Sequence, residues 1–502
     1  ANTTGIQNVA VGSDALSTFD GNYNTAVGYG CMQLTTTGNH NAALGKTALN
    51  NNTTGFYNNA VGSNSLQSNT TGTQNNAFGY AALNQNTTGQ YNSAFGDLAM
   101  QVNTTGASNS AFGAFSLDAN TTGSQNAAFG NNTLSGNTTG DKNTAAGRQA
   151  LQTNTTADNN TAVGFQALYL NTTGTSNNAF GANALDANTT GPYNNAFGQN
   201  AMGANTTGDR NTAMGQDALQ ANTTGARSTA IGNSALANNT TANDNTAVGN
   251  NALSANTTGT QHVAVGAFAL ESNTTPSDNT AVGYESLTNN TTGATNSGFG
   301  HKCLLAMTTG TSNTACGSSA LRLCTTADKN TAVGKDALLN NVTGQKNVAV
   351  GHSAGSTVLG NNNICIGEDA EPIGAGSNNE ITLGNGNHST LRCNTQTISS
   401  LSDLRDKTNI IDLPESLDFI NQLRPVKFEW ATRDGNGKDG SFEHGFIAQD
   451  LQKAQRDNNA DYLNMVLDKN PDKLEASYGR LVPILVNAIK ELSAKVTALE
   501  AG

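Results

Sequence analysis

Small and apolar residues recur along residues 1–395 in one phrase, N-T-T-G-x-x-N-x-A-x-G-x-x-A-L-x-x. Its central glycine falls at Gly12, Gly28, Gly45, Gly62 and Gly79, and so on to Gly351, Gly367 and Gly384. The step is 17 residues throughout Gly28 to Gly351, and 16 at Gly12–Gly28 and Gly351–Gly367, which makes 23 units. Before the glycine stands an apolar residue (Val27, Leu44, Phe78, Phe95), two before it Ala (Ala26, Ala43, Ala77), and four before it Asn (Asn24, Asn41, Asn75). After it come a small residue and then Leu or Met, as in Ala48-Leu49 and Ala99-Met100. These apolar positions are too sparse for a helix face, and two turn signals per unit predict two short strands per coil. The glycine supplies a positive-φ corner, and Asn with Thr-Gly serves the other turn. A disordered low-complexity chain would not hold its apolar phase over so many equal steps.

The fold class that follows is mainly β, a parallel β-solenoid or β-roll. Stacked about 4.8 Å apart, 23 coils make a rod on the order of 110 Å long. The Asn positions stack into a side-chain amide ladder, while Leu and Val fill thin internal columns. Two or three medium apolar side chains per coil make a marginal core. Three chains around one axis would bury a second column, the Ala-Leu positions, so a homotrimer is expected.

Composition narrows the functional classes. The chain has 502 residues, 55 of them glycine, with 12% charged and 5% aromatic residues, too little large apolar matter for a thick core throughout. A net charge of −12 argues against nucleic acid as a partner and offers no basic patch to anionic lipid. No apolar run reaches the roughly 20 residues of a membrane helix, so no membrane insertion is expected, and no secretory signal pattern is read. The six cysteines (Cys31, Cys303, Cys316, Cys324, Cys365, Cys393) have no C-x-x-C spacing, so neither metal nor cofactor is expected; Cys31, Cys303 and Cys316 fall on small or apolar repeat positions and read as buried thiols.

Within the repeats the carboxylates are isolated, as at Asp97, Asp118 and Asp186, without the pairing that glycoside hydrolysis requires. His262 stands in a ladder Asn position. Tyr23, Tyr57, Tyr91 and Tyr193 share one variable slot and are candidate receptor-binding residues, able to stack on sugar rings. Sixteen Asn-Thr-Thr triplets match the N-glycosylation acceptor, although turn chemistry explains them more simply. Threonine ladders raise an ice-binding alternative, weakened because Thr-Thr precedes a corner glycine instead of forming T-x-T on a flat strand. The N-x-A-V-G core, as in "NTAVG" at 24–28 and 279–283, resembles the head repeat of trimeric autotransporter adhesins, a left-handed parallel β-roll.

The chain changes character near residues 396–401, a junction. Residues 402–502 hold 17 acids and 13 bases against 19 and 11 in residues 1–401, about four times the charge density. "SLDFINQL" (416–423) has helical spacing, with Leu417, Ile420 and Leu423 on one side. "RPVKFEW" (424–430) alternates as a strand through Val426, Phe428 and Trp430, and "HGFIAQDLQKA" (444–454) passes from strand to helix. A small α+β domain over 402–480 is expected. Over 481–502, Val482, Leu485, Ile489, Leu492, Val496 and Leu499 space as a coiled-coil seam that would join three chains.

"SDLRDKTNI", "LRPVKFEW" and "HGFIAQDL", in that order over 402–502, resemble the C-terminal intramolecular chaperone domain of phage tail fibres, tailspikes and endosialidases. The resemblance implies that this domain trimerises the fibre before it and then cleaves itself off. By S-x-x-x-x-K, it places the nucleophile at Ser402, the base at Lys407 and the cut between Leu401 and Ser402. A serine is a weak nucleophile without a base, and a lysine serves as one only when burial or neighbouring cations, Arg405 for instance, lower its pKa. The motif His is adjacent to the Gly here (His444-Gly445), which argues against a catalytic role for His444.

The expected function is that of a viral tail fibre or appendage for host attachment, extracellular on the virion, with a single-turnover self-cleaving serine peptidase and no external substrate. Expected partners are two further copies of the chain, a host-surface receptor such as a glycan, and other tail proteins at the N-terminal side. The alternative is a bacterial surface adhesin or ice-binding solenoid with a retained trimerisation domain.

Overall fold

The computed structural model describes residues 4–388, 402–431, 440, 442–468 and 474–502. The chain falls into two compact units, Ala1–Lys335 and Asp336–Gly502.

The first unit is a parallel β-solenoid. Its strands are three residues long and run from Val9–Val11 to Thr331–Val333. Each pairs in parallel with its counterpart one coil on, as in Asn76↔Ser93, Ala77↔Ala94 and Phe78↔Phe95. Each coil contains one such strand, where the sequence predicts two. Backbone bonding from coil to coil continues outside the strand: the Leu83, Gln85 and Thr87 N–H groups donate to the carbonyls of Ala99 at 3.0 Å, Gln101 at 2.9 Å and Thr104 at 2.9 Å. What prevents a second strand is left-handed backbone. Ala81, Leu83 and Tyr91 have φ of 52°, 51° and 58°, so extended conformation is interrupted every few residues. A leucine in this region costs about 1–3 kcal/mol; complete burial of its side chain offsets the cost.

The two glycines of each unit have different causes. Gly96 has φ +141°, and a Cβ there would lie 2.5 Å from the Gly113 carbonyl oxygen, so conformation and stacking both demand glycine. Gly89 has no positive φ, but a Cβ would lie 2.4 Å from both Asn86 Oδ1 and the Gly106 oxygen. Close packing alone excludes a side chain.

The apolar columns are arranged differently from the sequence-based expectation. Ala77, Ala82 and Leu83 are completely buried within one chain, whereas Phe78 is 36% exposed and Leu44 51%. In a three-residue strand the middle side chain faces one way and its neighbours the other. Ala therefore points inward, its small size leaving room for the Leu column, and the residue before the glycine points out. The Ala-Leu column is the core of a single chain and needs no partner. The Val/Phe column is the one left open.

Two amide ladders run through this core. In one, Asn75 Nδ2 donates to the Gly89 carbonyl at 2.9 Å while Asn75 Oδ1 accepts from the Asn92 N–H at 3.1 Å and the Asn92 amide at 3.2 Å. The other consists of the Asn-Thr-Thr asparagines: Asn86 Nδ2 donates to Asn69 Oδ1 at 2.8 Å and to the Gly89 carbonyl at 3.1 Å. From Asn52 to Asn290 these asparagines are completely buried, so the folded coil does not offer them for glycosylation. A buried amide without partners would cost several kcal/mol; the stacking supplies partners along the ladder as far as Asn290, whose Oδ1 is left without one where Met307 takes the next ladder position. His262 takes a ladder position, with Nδ1 accepting from the Asn279 N–H at 3.2 Å and Nε2 2.7 Å from the Pro276 carbonyl. Burial pushes its pKa down.

The second unit opens with coils whose strands are Val348–Val350, Ile364–Ile366 and Ile381–Leu383. Its C-terminal part contains α1 (Leu417–Gln422), an antiparallel pair Val426–Glu429 with Phe442–Gly445, α2 (Ala448–Asp457), a short pair Val466–Leu467 with Glu475–Ala476, and α3 (Leu481–Glu500). The core gathers Phe419, Leu451, Met465, Leu481 and Ile484, with Ile420 and Leu423 packed against it. Of the predicted face Leu417, Ile420 and Leu423, the last two pack on this core and Leu417 is half-buried, while Phe419, which the spacing left out, is the buried residue of α1. α3 is fastened at its first half. Asn487 Nδ2 donates to the Leu413 and Glu415 carbonyls at 2.8 and 3.0 Å. Hydrogen bonds from Lys495, from the Ser416 hydroxyl and from the Leu417 N–H hold the Glu491 carboxyl down at about 2.

Candidate functional site

Ser402 and Lys407 are brought together by one tight turn. Asp403 caps the 3-10 turn Leu404–Asp406, its carboxylate accepting from the Arg405 N–H at 2.9 Å, and the Lys407 N–H closes the turn on the Leu404 carbonyl at 3.2 Å. The Lys407 side chain then folds back and Nζ donates to Ser402 Oγ at 2.6 Å. The five-residue spacing is therefore the reach of a capped turn. Arg405, considered as a cation beside the lysine, is held instead by Asp403, with Nη2–Oδ2 at 2.6 Å; the guanidinium keeps the Asp403 carboxyl below its ordinary range. Residues 402–410 are all exposed. Leu401, on the other side of the expected cut, lies outside the described residues, as do Cys393 and the rest of the junction.

An amine in hydrogen-bond contact with a hydroxyl is the minimal arrangement for a base-assisted nucleophile. Desolvation, which a lysine needs before it gives up its proton, has to come from outside this exposed segment. His444 is exposed on the strand Phe442–Gly445, in register with Lys427.

Three further sets of residues bear on function. On α3, Leu481, Ile484 and Ala488 are buried against the domain, while Val482, Leu485, Ile489, Leu492, Val496 and Leu499 are all exposed. The helix therefore has two apolar faces, one used and one open. The four slot tyrosines are exposed but do not gather. Tyr23 and Tyr57 flank His40, with ring centroids 4.7 and 5.0 Å apart, while Tyr193 lies many coils away with Arg210 5.7 Å over its ring. His40 was missed among the candidates, although its spacing of 17 from both tyrosines placed it in the same column. The cysteines divide too. Burial pushes the Cys31 and Cys303 thiols up to about 11 and Cys324 to about 12, whereas Cys316 is exposed, contrary to its reading as a buried thiol, because it occupies the outward position before the glycine.

Asp118 and Asp186 each have a carboxyl pushed up by burial, but they stand four coils apart, about 19 Å. Among the described residues no cluster of His, Cys, Asp or Glu has metal-binding geometry, and no helix is long and apolar enough to cross a membrane.

A repeat solenoid followed by a small α+β domain fits a fibre with a C-terminal chaperone. Residues 402–459 match the family described as chaperone of endosialidase. The match implies self-cleaving chaperone peptidase activity in general, and together with the solenoid it fits a protein of the phage tail-fibre type. No curated protein and no solved structure matches the chain.

Proposed function

We propose that this chain is a viral tail fibre or appendage for host attachment, whose C-terminal domain joins three copies through the open face of α3 and then cuts itself free at Leu401–Ser402. The observation that carries the reading is the 2.6 Å contact of Lys407 Nζ with Ser402 Oγ at the head of the matched segment. In the reaction, Lys407 in its neutral form takes the Ser402 hydroxyl proton as Oγ attacks the Leu401 carbonyl carbon. The tetrahedral intermediate collapses with cleavage of the Leu401–Ser402 C–N bond, and the Lys407 ammonium returns its proton to the departing amine. Water then hydrolyses the Leu401–Ser402 ester, freeing the Leu401 carboxylate and regenerating the serine. Each chain does this once.

The exposure of residues 402–410 gives the reaction its timing: copies packed around the axis supply the desolvation that a single chain lacks. The chaperone is needed because the repeats cannot set their own register. A slip of 17 residues would restore nearly every contact, whereas the heptad seam is unique in the chain. The receptor side would use exposed slot residues such as Tyr23, His40 and Tyr57, which offer ring faces to a glycan. The test is a denaturing gel of wild type beside Ser402→Ala and Lys407→Met. Two fragments from wild type, with a new N-terminus at Ser402 by sequencing, and one uncut band from each variant are expected. An uncut wild-type chain, or an Ser402→Ala variant that still cuts, refutes the assignment.

A further inference from the structure

The outward residue before each central glycine forms an unbroken apolar column. At all 20 coils of the first unit, from Val11 to Val333, this position carries only Val, Leu, Ile, Met, Phe, Ala or Cys, and every one is exposed or half-buried. The first residue of each strand, on the same face, is never charged; Thr, Ser, Asn, Ala and Val fill it. Charges are found instead in the turns, as at Lys46, Asp97, Arg148 and Arg210. Along the column the rings of Phe78, Phe95 and Phe112 stack 4.7 Å apart at interplanar angles of 5° and 4°. An apolar stripe kept free of charge for the length of a solenoid is a liability for an isolated chain and has the composition of an interface core.

We infer that this column is the surface along which copies of the solenoid pack on one another. The inference rests on the proposal that copies associate through α3 and names the surface they use beyond it. Six of the column's seven phenylalanines, at about 150–250 Å² each and 36–44% exposed, present roughly 500 Å² by themselves, and Phe95 with the thirteen smaller side chains raises this toward the size of a standard stable interface, about 800 Å² per partner. The repeat identifies the occupant. Only a surface with the same coil-to-coil spacing matches the column over its whole length, and another copy of this chain in parallel has that spacing. The column also explains why the core survives without partners: the Ala-Leu residues stabilise the coil, and the Val/Phe residues are left for association.

Cys316 lies in the column and is the exposed cysteine among the described residues, so it reports directly. The full chain with Cys393→Ser is sized by light scattering and its thiol timed with a maleimide, beside a Tyr91→Cys, Cys316→Ser version whose thiol is on another face. The expected result is an oligomer in which Cys316 reacts at least about tenfold more slowly than the control thiol, since labelling requires opening. An oligomer in which both thiols react equally fast overturns this inference and leaves association through α3 standing. A monomer overturns both.

Discussion

Replacing Asn75 by Asp changes the buried ladder by one atom and one proton. The shape is kept. What is lost is the donor: Nδ2 gives hydrogen bonds to the Gly89 carbonyl at 2.9 Å and to Asn58 Oδ1 at 3.2 Å, and an ionised carboxylate would put an oxygen against both. The variant side chain relieves this only in part, by taking up a proton, which restores one of the two donors. An ordinary Asp ionises near 3.9, so holding it neutral costs about 1.36 kcal/mol per pH unit above that value, or about 4 kcal/mol at pH 7 and about 2 kcal/mol at pH 5.5. The folded-state pKa is raised here. The variant is therefore at its most stable below pH 4, where it still lacks one of the two donated bonds, and loses stability as pH rises toward that folded pKa. Hydrogen exchange of the Asn92 amide, which donates to Asn75 Oδ1 at 3.1 Å, reads the opening free energy of this coil. Relative to wild type, the variant is expected to open about 30-fold more readily at pH 7 than at pH 5.5, with each 1.4 kcal/mol counting tenfold. The control Asn76→Asp, half-buried at the strand edge, is expected to move by less than about 0.5 kcal/mol. A cost under 1 kcal/mol with no pH slope would mean that the ladder is hydrated, and the reasoning would fail.

Two further outcomes are expected. Gly96→Ala forces a Cβ to 2.5 Å from the Gly113 oxygen at φ +141°, which at about 1–3 kcal/mol for the backbone conformation alone separates two coils; limited proteolysis should cut near residues 96–114, and a variant as resistant as wild type would refute the stacking argument. His262 is buried neutral with its pKa pushed down, so its coil loses stability as pH falls below about 6.5, where the unfolded imidazole takes up a proton that the folded one refuses; His262→Asn should abolish that slope in exchange of the Asn279 amide between pH 6.5 and 5.5.

The period, the glycine corner and the Asn ladder were legible because stacking repeats the same steric demand at every coil, and the sequence answers it in phase. The orientation of the apolar columns was not. Side-chain size is a fair guide to burial in a thick core, but in a coil this thin the inner side of the strand accommodates only Ala77, and the larger Phe78 is turned out. The single strand per coil was hidden for a related reason: nothing about Leu83 announces a left-handed backbone, a conformation ordinarily left to glycine or asparagine. At the C-terminal end the serine and lysine were legible by their motif, whereas the means of joining them, the Asp403 cap, depends on φ and ψ values that spacing alone does not encode. His40 was overlooked because it differs in type from the tyrosines it stacks between, although the ring face it offers is similar.

The 17-residue step that runs from Gly28 to Gly351 makes reach a quantity that this gene can alter in whole increments. Because Phe95 meets Phe78 and Phe112 as any column residue meets its neighbours, removing or adding one unit leaves every remaining interface intact and changes length by about 4.8 Å. Near-identical neighbouring units are also what in-frame recombination acts on most readily. A lineage carrying such a chain could shorten or lengthen it without redesigning the corner, the core or the terminal domain, and the two 16-residue steps, where strands and asparagines still stack in register, show that a coil can even give up a residue from its turns.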